Sequence, residues 1–130
     1  MERLYNFIEK YLPSNYDITY QTIDENKENT IGIFLYQGQA DKKLLDGYCV
    51  SEDIKVHIEL NCGKQSNDII KAMNDLRKFA VDIEDAESDI DGLEVLFIKI
   101  LNKAIPIGKN QHGIQKVVSN LEITFTLEVD

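Results

Sequence analysis

Guanidinium groups are nearly absent from this chain. Its 14 basic residues include only two arginines, Arg3 and Arg77, set against 23 Asp and Glu for a formal net charge of -9. A surface of that sign repels phosphate backbones, whereas specific nucleic-acid binders gain most of their affinity from cationic contacts. The composition therefore argues against such a binder. Cysteine is scarce too: Cys49 and Cys62 are the only two, too few for a disulfide framework. Long apolar runs are missing, since none approaches the ~18 residues of a membrane span. Met1, Glu2 and Arg3 lead into an amphipathic run rather than a signal peptide, so a soluble chain made in the cytosol is expected. With 130 residues the chain fits one domain, 1–130, able to bury a core without disulfides or metals.

What is present is organised around 66–97. Apolar residues recur at Ile69, Met73, Leu76, Ala80 and Ile83, with Ile70, Ala72 and Phe79 widening the stripe. That spacing predicts an amphipathic helix over 66–81, with Ser66 suited to an N-cap. Before it, Ile54, Val56, Ile58, Leu60 and Cys62 alternate with polar residues, which predicts a half-buried strand over 53–62 and a reduced, buried Cys62. After it, the run from Leu93 is apolar on both faces and reads as an interior strand over 93–104.

Leu4, Phe7, Ile8, Tyr11 and Leu12 predict an N-terminal helix stopped by Pro13. Residues 15–23 read as an extended connector, and 30–36 and 115–129 as further strands. Extended, the last would run ~50 Å, longer than a compact domain of this size is wide, so a bulge is expected at Ser119 and Asn120. The expected fold class is α+β: a mixed, mostly antiparallel four-stranded sheet, with the main helix on one face and an N-terminal helix. The last two strands should form an antiparallel hairpin, the link between them being too short for a parallel crossover.

The long connection over 37–53 carries Leu44, Leu45, Tyr48 and Val50 amid charges. Apolar residues there either tuck into the chain's own core or form an arm that orders on a partner.

Little of the chemistry that such a chain can carry is legible. Glu87, Asp89 and Asp91 before Gly92 resemble the start of a calcium loop, but the twelfth position is Ile98 rather than a carboxylate; an acidic solvated turn is expected. Cys49, His57, Cys62 and His112 lack zinc-site spacing, and no glycine-rich phosphate loop precedes a helix. Neither a metal nor a cofactor is expected, and nothing points to an enzyme.

One resemblance runs from Thr30 to the end. Ile105, Pro106, Ile107 and Gly108, then Asn110 and Gly113, then Val117, Val118, Ser119 and Asn120 before an alternating terminal strand, resemble the tail-terminator proteins of long-tailed bacteriophages, often labelled minor capsid proteins. Tyr36, Gln37 and Gly38 at a strand end, the 54–62 strand, the helix at Ser66, and Ile90, Asp91, Gly92 and Leu93 fall in that family's order. Ile114 stands where the family commonly has Arg, and Ala40 and Asp41 replace a more proline-rich early loop.

The resemblance implies a small α+β structural subunit of the virion, located at the head–tail junction. It would assemble as a homo-hexameric ring that caps the tail tube, ends its polymerisation and joins it to the head connector. Its partners would be itself, the tail-tube protein and the head-completion or connector protein, with DNA passing through unbound and no membrane involved. In that setting Leu44, Leu45, Tyr48 and Val50 are the expected assembly contacts. Asp82, Glu84, Asp85, Glu87 and Asp89 are the expected channel-facing acids. The alternative is a small acidic immunity or inhibitor protein masking a basic partner by charge complementarity.

Overall fold

The computed structural model describes residues 2–37, 43–45, 49–86 and 93–128. Among these residues the fold is mixed α+β, with two helices and a six-stranded sheet. In order they are α1 (Glu2–Glu9), β1 (Asp17–Tyr20), β2 (Thr30–Gln37), β3 (Lys43–Leu45), β4 (Cys49–Asn61), α2 (Ser66–Glu84), β5 (Leu93–Lys109) and β6 (Gln115–Glu128). The sheet runs β1-β2-β4-β6-β5, with β3 paired to the start of β4 on the side that β2 leaves free. Among the described strands β1 and β2 pair in parallel and the remaining neighbours are antiparallel, and β5–β6 is the expected hairpin.

Period-two alternation assigns each strand residue to a face. Ile31, Ile33 and Leu35, then Ile54, Val56, Ile58 and Leu60, then Val117, Leu121, Ile123 and Phe125 are buried on one side. Leu76, Phe79 and Ile83 of α2 and Leu4, Phe7 and Ile8 of α1 join the same core. The stripe of α2 is narrower than its sequence implies. Ile69 and Met73 only border the core and Ile70 is exposed, because the helix rolls Ala72 and Ala80 inward for close approach to the sheet. Where the chain enters this helix, Gln65 rather than Ser66 is the N-cap, and Asp68 at the third helical position closes a capping box, its carboxylate accepting the Gln65 backbone N–H at 2.9 Å. Cys62 is buried as expected, its thiol donating to the Gln115 carbonyl.

Four expectations change. The sheet has six strands rather than four, because 15–23 contains β1 and 37–53 is not a long loop: β4 begins at Cys49, with β3 folded back beside it. The extra length of the hairpin is absorbed in β5 and not at Ser119 and Asn120. β5 has 17 residues and β6 has 14, and the register slips four times along β5, once on each side of Asn102, which faces Asn120. β5 also continues through Pro106 to Lys109, which a proline permits where the missing N–H would have pointed away from the sheet. Finally β5 is an edge strand rather than an interior one.

Candidate assembly surface

Among the described residues both helices pack on the core face, and the second face of the sheet carries none. At one end it is crossed by the connection between β1 and β2. Gln21 and Asn29, at φ 60 and 56, turn the chain at either end of that connection. Gly32 lets it lie directly on β2: a Cβ there would meet the Thr22 carbonyl oxygen at 2.8 Å and Ile23 Cβ at 3.0 Å. Side chains then clasp it down. Asn61, fully buried, donates to the Asp24 carbonyl at 3.1 Å. Asn110 donates to the Glu25 carbonyl at 2.8 Å while its Oδ1 accepts the backbone N–H groups of His112 and Ile114. Asn110 thus ties the β5–β6 turn to the crossing strap.

A charged chain continues from the strap along this face. Lys116 Nζ bridges Glu25 and Glu59, each at 2.5 Å. Glu59 reaches His57 Nε2 at 3.1 Å, and His57 Nδ1 lies 2.6 Å from Asn120 Oδ1. The cross-strand register explains the assembly, since Asn61 faces Lys116 and His57 faces Asn120 across β4 and β6. With an acceptor oxygen at both ring nitrogens, the imidazolium form is favoured. The His57 pKa is accordingly raised, chiefly by the bond to Glu59, against burial and the Lys116 charge. Glu59 is held down at about 2, first by His57 and then by Lys116, against its own burial. Burial alone would lower the Lys116 pKa, but its two carboxylate partners outweigh that and raise it.

Beyond this chain the face turns apolar. A groove of about 350 Å3 has Tyr36 on one wall and Leu101 on the other, with Lys55, His57, Asn102 and Asn120 between. From that wall outward the edge strand exposes Leu101 (47 %), with Phe97 (67 %) and Ile107 (60 %) beyond the groove. Lys99, Lys103 and Lys109, on the same strand, are exposed with them. An edge strand leaves a row of backbone N–H and C=O groups unpaired, and lysines and bulges are the usual means of keeping such an edge from indiscriminate pairing. An exposed apolar row on that edge makes it the candidate surface of this chain.

The residues expected from sequence fall elsewhere. Leu44 pairs with Val50 and Leu45 with Cys49 in the β3–β4 ladder, and Val50 also faces Leu127 of β6. Their strand pairing is described and their side-chain surroundings are not; Tyr48 lies outside the described residues. Asp82 and Glu84 are exposed in the last turn of α2 and Asp85 follows as its cap, so they are helical rather than part of an acidic loop. Glu87 and Asp89, like the whole calcium-like turn over 87–92, lie outside the described residues. Among the described residues no three acidic, His or Cys side chains gather as a metal site, and no helix is long and apolar enough to cross a membrane.

His57, Glu59 and Lys116 were visible only as polar members of alternating strands, because what unites them is cross-strand register. Phe97, Leu101 and Ile107 carried a signal of their own: apolar character on both faces, interrupted by lysines. No protein-family model matches the chain, and comparison with curated proteins finds no match.

Proposed function

We propose that this chain is a structural subunit of a long-tailed phage, assembling into a hexameric ring that caps the tail tube and joins it to the head connector. The observation that carries the reading is the 17-residue edge strand β5 with its exposed Phe97, Leu101 and Ile107. A lone globule gains nothing from that arrangement, whereas a subunit completed by its neighbours does. The resemblance set out above supplies the kind of assembly, and the net charge of -9 suits a ring through which DNA slides without adhering. The β3–β4 pair, with Leu44, Leu45 and Val50, is the second contact, reaching a neighbour or the tube, and Tyr48, next to it in sequence, is expected to join it.

Native mass measurement and electron microscopy of tails made with the Leu44→Asp, Leu45→Asp double variant test this. Expected are a hexamer for the wild type, and for the variant a folded chain that forms no rings and lets tails grow beyond normal length. Tails of normal length with the folded variant would sink the role of the β3–β4 pair. A wild-type chain that stays monomeric, or binds one basic partner one-to-one, would sink the ring and favour the inhibitor reading.

A further inference from the structure

Resting on the ring reading, we infer that neighbouring copies are joined by the outer half of β5 on one copy and the last turn of α2 on the next, so that Glu84 and Asp85 belong to the joint between subunits rather than to the channel wall.

Two surfaces of the one chain complement each other. The outer half of β5 presents Leu101 and Ile107 with Lys103 and Lys109, an apolar and basic strip on a chain whose net charge is -9. The last turn of α2 presents Val81, half exposed, beside Asp82, Glu84 and the capping Asp85, with no basic residue in that turn. Neither Glu84 nor Asp85 makes an ion pair among the described residues.

That placement runs against the helix's own electrostatics. The C-terminal end of a helix carries partial negative charge, so each carboxylate there destabilises the helix, where a lysine would stabilise it. A 19-residue helix that places three acids at this end gives up stability within the subunit, and cations arriving from outside would recover it. Lys103 and Lys109 of a second copy are of the right sign, and Leu101 and Ile107 offer Val81 an apolar neighbour. Covering a strand edge with a helix is also a standard protection for such edges. Because the two patches occupy different places on one chain, the contact is head-to-tail, the kind that closes into rings.

Charge reversal with mixing tests the contact. Variant one is Lys103→Glu with Lys109→Glu; variant two is Glu84→Lys with Asp85→Lys. All four positions are exposed, and the second pair is expected to raise the melting temperature of the subunit through the helix dipole. Each variant alone places like charges across the joint and should associate roughly a hundredfold more weakly or worse. An equimolar mixture places opposite charges at every joint, alternating around an even ring, and should recover the wild-type mass in sedimentation. Assembly of either variant at wild-type strength, or a mixture that stays dissociated, would overturn the contact while leaving the ring intact. A wild-type chain that remains monomeric across the whole concentration series would overturn the ring and the contact together. Should a reversed variant fail to fold, Lys103→Gln with Lys109→Gln and Glu84→Gln with Asp85→Gln serve instead. Each should weaken assembly, and the wild-type association should weaken with added salt; assembly indifferent to both would again overturn the contact.

Discussion

Substituting Glu59 by Gln is expected to remove the acid limb of this protein's stability profile. The Glu59 carboxylate, 19 % exposed, sits between His57 Nε2 and Lys116 Nζ, and its pKa falls from 4.5 to about 2 on folding. A depressed folded pKa contributes stability that is present above the unfolded value and lost as pH falls through the folded one. The interval, 4.5 less about 2, at ~1.36 kcal/mol per unit comes to ~3 kcal/mol. That is an upper value, because Glu59 and His57 titrate as a pair. His57 acts on the other limb. Its pKa is raised above 6.5, so its contribution is complete below 6.5 and disappears as pH rises through the raised value.

Urea unfolding of wild type and Glu59→Gln at stepped pH isolates the acid limb, since every other carboxylate cancels in the difference. The gap between the two should narrow by ~2–3 kcal/mol from about pH 5 to about pH 2.5. In the variant the His57 titration, followed by NMR, should move down, having lost its largest raising influence. A gap constant to within ~0.3 kcal/mol over that range, or an unmoved His57 titration, would refute the ion chain as drawn.

Gly32→Ala should destabilise by ~1–3 kcal/mol, because the new methyl meets backbone at Thr22 and the strap must lift; a melting temperature equal to wild type would mean the strap does not lie on β2. Asn110→Ala removes the acceptor of two backbone N–H groups and the donor to the Glu25 carbonyl. Chemical denaturation should register a loss of ~2 kcal/mol, against a few tenths if the turn stood without it. Cys62, buried with its thiol pKa raised by that burial, should react with a thiol reagent only on unfolding, so labelling at a rate independent of urea would contradict its place in the core.

Much of the architecture was legible because two periodicities carried it. The stripe through Leu76, Ala80 and Ile83 could only be a helix lying on something apolar, and the alternation from Ile54 to Cys62 could only be a half-buried strand. β1 escaped notice because four residues do not establish a period. It exists through its parallel ladder to β2 and the left-handed turns at Gln21 and Asn29. The N-cap is Gln65, one residue before Ser66, because Asp68 at the third helical position reaches back to the Gln65 backbone, a contact that a preference table for Ser at the cap does not contain. The strand from Leu93 lies at the sheet's edge although its sequence is apolar on both faces, because strand order is set by pairings with distant segments that its own pattern does not encode.

The sequence by itself determined both helices, the four longer strands, the core face of β2, β4 and β6 and the sign of the surface, because those follow from local period and composition. Tertiary structure alone decided which polar residues meet. His57, Glu59, Lys116 and Glu25 come from two strands and a strap, and only the β4–β6 register with the strap's crossing over Gly32 brings them within bonding distance. It also decided that β5 lies at the sheet's edge, since strand order depends on pairings distant in sequence that no local pattern encodes.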